Sequence, residues 1–443
     1  MRIINKIITL VCQILLVWLA VATGLQAQAA ENPQQWTETH LHELLSWYRE
    51  FHAQPELSFQ EVNTAARLAE AWKKCGYEVT TRVGGHGIVG LLHNGSGPVV
   101  MLRADMDALP VAEQTGLPFA SKVHTVNEVG ADVNVMHACG HDAHMVSVIG
   151  AACYLSTNRS LWQGTLMLVG QPAEEKGAGA RAMLDDGLFE RFPRPDFAIG
   201  LHVSAVLAAG KLGFRPGYTM ANVDSVDITL YGKGGHGAYP HTTVDPVIQA
   251  AQLVMALQTI VSREIDPIMA AVVTVGAING GTKNNVISDS ANLQLTVRSF
   301  DQEVRQQILA AIERKAKAVA MGAGAPQPLL LIARGTPSLY NDPSLSARIR
   351  PVFQRMVGAE NVEVSNPTMG GEDFSQYGRV GVPILMYWLG AVSQERLDAF
   401  QAAGETPPSL HSPFFYPDAE ATLLTGVSSM SYAVLELLGT SGK

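Results

Sequence analysis

Charge is scarce in this chain of 443 residues, and so is cysteine. Asp, Glu, Lys and Arg together make up 16% against 47% hydrophobic residues, which excludes a disordered polyelectrolyte and leaves enough apolar material for sizeable cores. Lys and Arg number 31 against 40 Asp and Glu, a net charge of −9. The basic residues nowhere gather into a patch, so nucleic acid is not expected as a partner. Four cysteines are too few for a fold built on disulfides. Internal repeats, low-complexity stretches and coiled-coil heptads are absent. The N-terminal apolar run has no counterparts downstream of the kind a multi-pass membrane protein requires. The length exceeds one ordinary core and predicts more than one domain.

Arg2 and Lys6 are the only charges before Glu31. Ile7 to Ala22 is almost wholly apolar, and Ala27-Gln28-Ala29 places small residues at signal-peptidase spacing. Residues 1–29 therefore read as a secretory signal peptide, and the expected location is periplasmic or secreted. A retained N-terminal anchor is the alternative. The run is short for a bilayer span of about 20 residues, so no stable membrane anchor is expected. Cleavage would leave Cys75, Cys139 and Cys153, an odd set in which at least one thiol stays unpaired or bound to something else.

Leu41, Leu44, Leu45, Tyr48 and Phe51 recur at helical spacing until Pro55. Ser58-Phe-Gln-Glu61 resembles a capping box, with a second helix expected up to Cys75 before Gly76. Buried-strand runs at 99–103, 165–169 and 197–201 alternate with helical stretches such as 145–155. That rhythm predicts an α/β domain, a sheet covered by helices on both faces. Near residue 216 the order becomes β-α-β-β-α-β, that of a ferredoxin-like α+β unit, and after about 335 the first style resumes. The expected organisation is a catalytic domain in two parts, 37–215 and 335–438, with a smaller domain, 216–334, inserted between them.

The densest chemistry lies in Met136-His-Ala-Cys139-Gly-His141-Asp142-Ala-His144, just before an apolar helix. Cys and His suit zinc and its neighbours, and Gly140 lets the chain turn so that Cys139 and His141 reach one point. Taken alone, the stretch fits equally well a histidine-rich turn beside a buried thiol. Pro172-Ala-Glu174-Glu175 follows directly on a buried strand, where open α/β sheets bind ligands. Of two adjacent carboxylates one can ligate a metal while the other takes a proton. His202 ends another strand, and His411 lies in a loop before the last helix. Together Cys139, His141, Glu175, His202 and His411 exceed what one catalytic metal takes and suit two. Asp105 and Asp107 end a strand and fit the role of orienting ligand histidines, though a strand-end turn explains them as well. Gly370-Gly371-Glu372-Asp373 is a glycine turn opening into acids close to substrate. Asn285 and Arg298, in the inserted region, offer polar groups for a carboxylate. His236 sits in a Gly-rich stretch of the same region.

These blocks in this order resemble the di-metal metallopeptidases that include aminoacylases, carboxypeptidases and dipeptidases. The most similar branch holds hippurate hydrolase and the auxin–amino-acid conjugate hydrolases. The resemblance runs from about residue 38 to 437 and rests on Met-His-Ala-Cys-Gly-His-Asp, Pro-Ala-Glu-Glu, Gly-Leu-His and Gly-Gly-Glu-Asp-Phe. The wider family draws ligands from a His-x-Asp strand. Here that strand reads Arg103-Ala-Asp105-Met-Asp107 without His, and the Cys-Gly-His block of the branch is kept. The resemblance implies a zinc-exopeptidase-like catalytic domain with a mixed sheet and two divalent metal ions per chain, whether Zn, Mn, Ni or Co. It implies Cys139 as the bridging ligand, His141, Glu175, His202 and His411 around the metals, and Glu174 as general base. It also implies a homodimer formed through the inserted domain, with His236 as a catalytic donor in a neighbouring active site.

The expected activity is hydrolysis of the amide bond of N-acyl amino acids, with Asn285, Arg298 and Gly371 holding substrate. The rival within the class is an exported dipeptidase or carboxypeptidase acting on short peptides. The rival outside it is a non-catalytic exported metal-binding protein, against which Glu174 speaks, since a structural site needs no base.

Overall fold

Asn32 opens the first helix: its side chain accepts from the amide of Gln35 at 3.0 Å, and Pro33 supplies a φ already suited to a first turn. Helix α1 (Pro33–Ala53) buries Leu44, Tyr48 and Phe51, the stripe its periodicity predicts. It belongs to a computed structural model that describes residues 31–439; the expected signal peptide lies outside them. Helix α2 (Val62–Lys74) ends at Cys75 and the left-handed Gly76, as expected. The expected capping box does not form. Glu61 is itself the cap residue, and its carboxylate accepts from the amides of Phe59 at 2.9 Å and Ala173 at 2.8 Å. Ser58 donates to the Asp107 carboxylate at 2.6 Å instead. The Ser-x-x-Glu spacing is spent on fastening a loop to the interior.

Eight strands form the main sheet in the order β1-β2-β4-β3-β5-β12-β6-β11. These are β1 (Glu78–Val83), β2 (Gly87–Asn94), β3 (Val99–Asp105), β4 (Gly164–Gln171), β5 (Phe197–Ala208), β6 (Leu212–Phe214), β11 (Val362–Val364) and β12 (Ile384–Val392). The pairs β3–β4, β3–β5, β5–β12 and β6–β11 are parallel and the others antiparallel, so the sheet is mixed. Alternation along β3 divides the interior: Val100, Leu102 and Ala104 join one core and Met101 the core on the opposite face. Helix α3 (His141–Thr157) is buried almost along its whole length between the sheet and α1 and α8. Helix α8 (Ala419–Leu438) is long and apolar enough to cross a membrane, yet 72% of its apolar window is buried in this core. Cys75 and Cys153 are joined by a disulfide between the end of α2 and α3, which leaves Cys139 as the free, buried thiol among the described residues.

A second sheet has its own core. Its strands β7 (Asn222–Tyr231), β8 (Ala271–Gly280), β9 (Ser290–Ser299) and β10 (Leu329–Arg334) are ordered β8-β9-β7-β10, all antiparallel. Helices α4 (Pro246–Thr259) and α5 (Gln302–Gly322) cover one face, where Val226, Ile228 and Leu230 alternate inward from β7. This is the ferredoxin-like order. The chain then returns to the main sheet through α6 (Pro343–Val357), β11 and β12, with the surface helix α7 (Gln394–Ala403) before α8.

Candidate metal centre and active site

Gly140 sets the geometry. It caps α3 with φ +78°, and a Cβ there would lie 2.5 Å from Cγ2 of Val203. Only glycine meets both conditions, and the turn it permits aims Cys139 and His141 into the same space. His202 arrives from β5, with its Nε2 3.5 Å from the Cys139 sulfur. His411 comes from the loop before α8, pinned by its amide to the carbonyl of Ala138 at 2.9 Å, and its Nε2 lies 3.4 Å from Glu175. Ligand atoms of Cys139, His141 and His202 lie within 4.8 Å of one another, as do those of Cys139, Glu175 and His411, and those of His141, Glu174 and Glu175. Cys139 belongs to two of these sets.

The imidazoles are oriented by hydrogen bonds at Nδ1. His141 Nδ1 meets the Asp107 carbonyl at 2.8 Å, and His202 Nδ1 meets the Val203 carbonyl at 2.8 Å. Each Nδ1 must donate to its carbonyl, so Nε2 is the ring nitrogen left for a metal, as in metal-binding histidines. His141 Nε2 and Glu175 Oε1 are buried with no hydrogen-bond partner. Two buried polar atoms left unsatisfied 3.9 Å apart mark a missing ligand. His144 differs: its Nδ1 contacts Asp105 at 2.7 Å, and its Nε2 accepts from the Val203 amide at 2.9 Å. Both nitrogens are engaged, so it braces the site and offers no ligand atom.

Asp107 does more than orient a histidine. Its carboxylate accepts from the amides of Glu174 at 3.0 Å and Glu175 at 3.1 Å, fixing the acid pair from below. The preceding Ala173 has φ +50°, uncommon for a residue with a side chain, and the strain sits where the two carboxylates are aimed.

Negative charge is in surplus. Burial pushes the Glu175 carboxyl up to about 7, and burial with Glu372 and Glu175 pushes Glu174 well above the carboxylate range. Burial alone would lower His141, yet Asp105, Asp107 and Glu175 hold it up to about 10. The cluster thus retains protons in place of a cation, and soft and hard donors together suit a divalent transition metal. The permanent buried cation beside this cluster is Arg103, which reaches Asp105 at 2.5 Å, Glu372 at 2.8 Å, Asp373 at 3.1 Å and Gln171 at 3.1 Å. Glu372 and Asp373, expected close to substrate, are buried and bound to Arg103, with carboxylate atoms within 4.8 Å of that of Glu174. Arg103 itself was legible only as an odd charge inside an apolar strand.

Cys139, Glu174, Glu175, His202 and His411 line a cavity of about 560 Å³, together with Arg298 and Gly371. Arg298 has no ion-pair partner among the described residues, so its charge is available to a ligand. His236 and Asn285 are not in this cavity. They lie on a two-stranded ribbon, Gly235–His236 against Val286–Ile287, where Gly237 donates to the Asn285 carbonyl at 2.8 Å. Both side chains are exposed. Within one chain neither lines the cavity: His236, expected to act in a neighbouring copy, is exposed on this ribbon, and Asn285 lies beside it. Trp388, which also lines the cavity, was missed because nothing local separates it from a core residue of β12.

Residues 101–434 match the model of Peptidase family M20/M25/M40. The putative amidohydrolase YhaA of Bacillus subtilis is 39% identical over 337 residues, 76% of this chain and 82% of that protein. Hippurate hydrolase of Campylobacter jejuni is 39% identical over 327 residues, 73% of this chain and 82% of its own length. The crystal structure of the Bacillus subtilis YXEP protein, described as a dinuclear metal binding peptidase from the M20 family, aligns with a TM-score of 0.75 at 32% identity. That alignment covers 90% of this chain and 99% of the other. Similarity of this extent in sequence and fold establishes that the chain belongs to Peptidase family M20/M25/M40 and is a hydrolase of that family.

Proposed function

We propose that the chain hydrolyses the amide bond of N-acyl amino acids, releasing a carboxylic acid and an amino acid. The observation that carries this is a cavity lined by Cys139, Glu174, Glu175, His202, His411 and the unpaired Arg298, next to the unsatisfied Nε2 of His141. Cys139, His141, Glu175, His202 and His411 would hold two divalent cations, Zn, Mn, Ni or Co, with Cys139 shared between them. When bound, such ions supply Lewis acidity and lower the pKa of water toward neutrality. Glu174, its backbone fixed by Asp107, accepts a proton as the acyl carbon is attacked and returns it to the leaving amine. A raised carboxyl pKa suits that double task. Arg298 holds the amino-acid carboxylate, and Gly371 forms part of the wall beside it.

The proposal extends to assembly and location. Two copies pair through the inserted domain, and His236 of each copy reaches the other's cavity to donate to the developing oxyanion. What supports this is the exposure of His236 on its ribbon and of Ile248, Met255 and Ile278 on α4 and β8. Export is supported by the Cys75–Cys153 bridge, since disulfides persist in oxidising compartments.

A panel of N-acetyl and N-benzoyl amino acids and dipeptides, assayed on metal-reconstituted protein lacking residues 1–29, tests the reading. N-acyl amino acids are expected to exceed dipeptides in kcat/KM by at least tenfold. A preference for dipeptides would make the chain an exopeptidase. No turnover of either class at full metal loading would make it a metal-binding protein.

A further inference from the structure

Beyond Gly200, β5 has a strand neighbour on one side only. Its pairing with β3 ends at Arg103 and Gly200, whereas its pairing with β12 runs on through His202 and Val203 to Ala208. Val203 is fully buried, and its amide finds no strand to bond on the β3 side. A buried amide without a partner is costly. His144 of α3 supplies the partner: its Nε2 accepts from the Val203 amide at 2.9 Å. A side chain takes the place of the missing strand where β5 delivers His202 to the site.

The same imidazole is fixed at its other nitrogen. Nδ1 donates to Asp105 Oδ1 at 2.7 Å, and Asp105 Oδ2 is held by Arg103 at 2.5 Å. Donating at Nδ1 and accepting at Nε2, His144 is a neutral imidazole in a single tautomer. Asp105, His141 and His144 have ligand atoms within 4.8 Å of one another, but both Asp105 oxygens and both His144 nitrogens are engaged, so they form no third cation position. The Val203 peptide passes the constraint on. Its carbonyl accepts from His202 Nδ1 at 2.8 Å, and its side chain lies against the Gly140 turn that aims Cys139 and His141. His144 follows His141 by three residues on one helix face, and its ring lies 5.3 Å from that of His141 and 4.8 Å from that of His202.

We propose that His144 is a positioning residue for one of the two cations: it sets the separation of His141 and His202, and so serves the ion that Cys139, His141 and His202 would hold and not the ion that Cys139, Glu175 and His411 would hold. The inference rests on the two-cation reading above and assigns separate supports to the two positions. The bonds run from Arg103 through Asp105, His144 and the Val203 peptide to His202, and none reaches Glu175 or His411. Glu175 is fixed by its amide on Asp107, and His411, exposed on its loop, by its amide on the Ala138 carbonyl. Losing the Val203 bond frees the end of β5, and His202 with it, while those other contacts stay. Partners that orient a ligand in this way change metal affinity by about 10–100-fold.

The experiment separates the two ring nitrogens. His144→Asn keeps a donor near Nδ1 for Asp105 and removes the acceptor for Val203, whereas His144→Gln places a carbonyl near Nε2 and keeps that acceptor. The readout is the affinity of metal-free protein for Zn²⁺ alone, by competition with a chromophoric chelator. His411→Ala and His202→Ala chains each leave one position to report. His144→Asn should weaken Zn²⁺ by about tenfold or more in the His411→Ala chain and by less than about twofold in the His202→Ala chain. His144→Gln should recover most of the loss in the His411→Ala chain. Melting temperatures of the metal-free variants accompany the titrations, since a purely structural role would weaken both positions in step with lost stability. Should His144→Asn fail to fold, His144→Ala, whose space admits water, replaces it. Equal weakening in the two chains, or Zn²⁺ bound as tightly after the substitution as before it, would overturn the proposal while leaving two cations in place. A wild-type chain that takes up only one Zn²⁺ would overturn the two-cation reading and with it the division of supports.

Discussion

The two regions of the chain bury charge in contrasting ways. In the inserted domain Asp224 and Arg305 are both buried and meet in a two-pronged contact, with hydrogen bonds of 2.6 and 2.7 Å. That pair is closed: charges cancel and the geometry is satisfied. Under the main sheet Arg103 is shared among Asp105, Glu372 and Asp373, while Glu174 and Glu175 stand nearby with raised pKa values and His141 keeps an unsatisfied nitrogen. Burying an ion pair is tolerable when it is complete; burying an incomplete cluster is costly unless a ligand completes it. The difference separates a structural ion pair from a site built to receive cations, and it does so without reference to any relative.

The largest effect should fall on the acid pair. Glu174→Ala should lower kcat on the order of 10³-fold while metal content stays near that of the wild type, and Glu175→Ala should lose metal as well. Steady-state kinetics with elemental analysis check this; a near wild-type rate in Glu174→Ala would remove the base from the mechanism. Next come the two arginines. Arg103→Met and Arg305→Met each strand buried carboxylates and should each cost about 3–5 kcal/mol of stability. Only Arg103→Met should also weaken metal binding, read by competition with a chromophoric chelator. Equal metal affinity in the two variants would erase the contrast between the regions.

A smaller recovery tests whether the regions cooperate across copies. His236→Ala and Glu174→Ala chains should each be inactive alone and regain part of the activity when mixed and re-paired. One site of the hybrid would then have both an intact Glu174 and an intact His236. Absence of recovery in proven hybrids would place His236 outside the chemistry of its neighbour.

The smallest effect concerns His52, buried between Asp142 at 2.7 Å and Glu113 at 3.0 Å. Burial opposes its charge, but hydrogen bonds to the two carboxylates raise its pKa from 6.5 to about 9. A folded-state pKa above the unfolded one stabilises fully below about 6.5 and loses that contribution as pH rises through about 9. The melting temperature of wild type minus that of His52→Gln should therefore be greatest near pH 6 and shrink by pH 10. A difference that stays constant over that range would show that His52 acts through packing alone.

Much of the catalytic half was readable because its signals are local. Gly140 between Cys139 and His141, Glu174-Glu175 after a buried strand, and glycine after α2 each specify geometry within a few residues. Ser58 and Glu61 misled for the complementary reason. Their spacing suits a cap, but Asp107 and Ala173, distant in sequence, compete for the same side chains and win. That one of Cys75, Cys139 and Cys153 must stay without a partner among the three was legible; which one it is was settled only when α2 and α3 packed side by side.

The sequence by itself determined the alternation of strands and helices, the ferredoxin-like order of the insert, and the residue types able to hold metals, because periodicity and ligand chemistry are properties of short segments. Tertiary structure decided that Arg103 meets Glu372, 269 residues away, and that Glu372 and Asp373 belong to that buried cluster. It also decided that His236 and Asn285 lie on a surface ribbon, and that Trp388 lines the cavity of the metal ligands. Those facts depend on which strand lies beside which and which face each residue presents. No short segment carries that information, because it arises only when the sheet closes over side chains drawn from the whole chain.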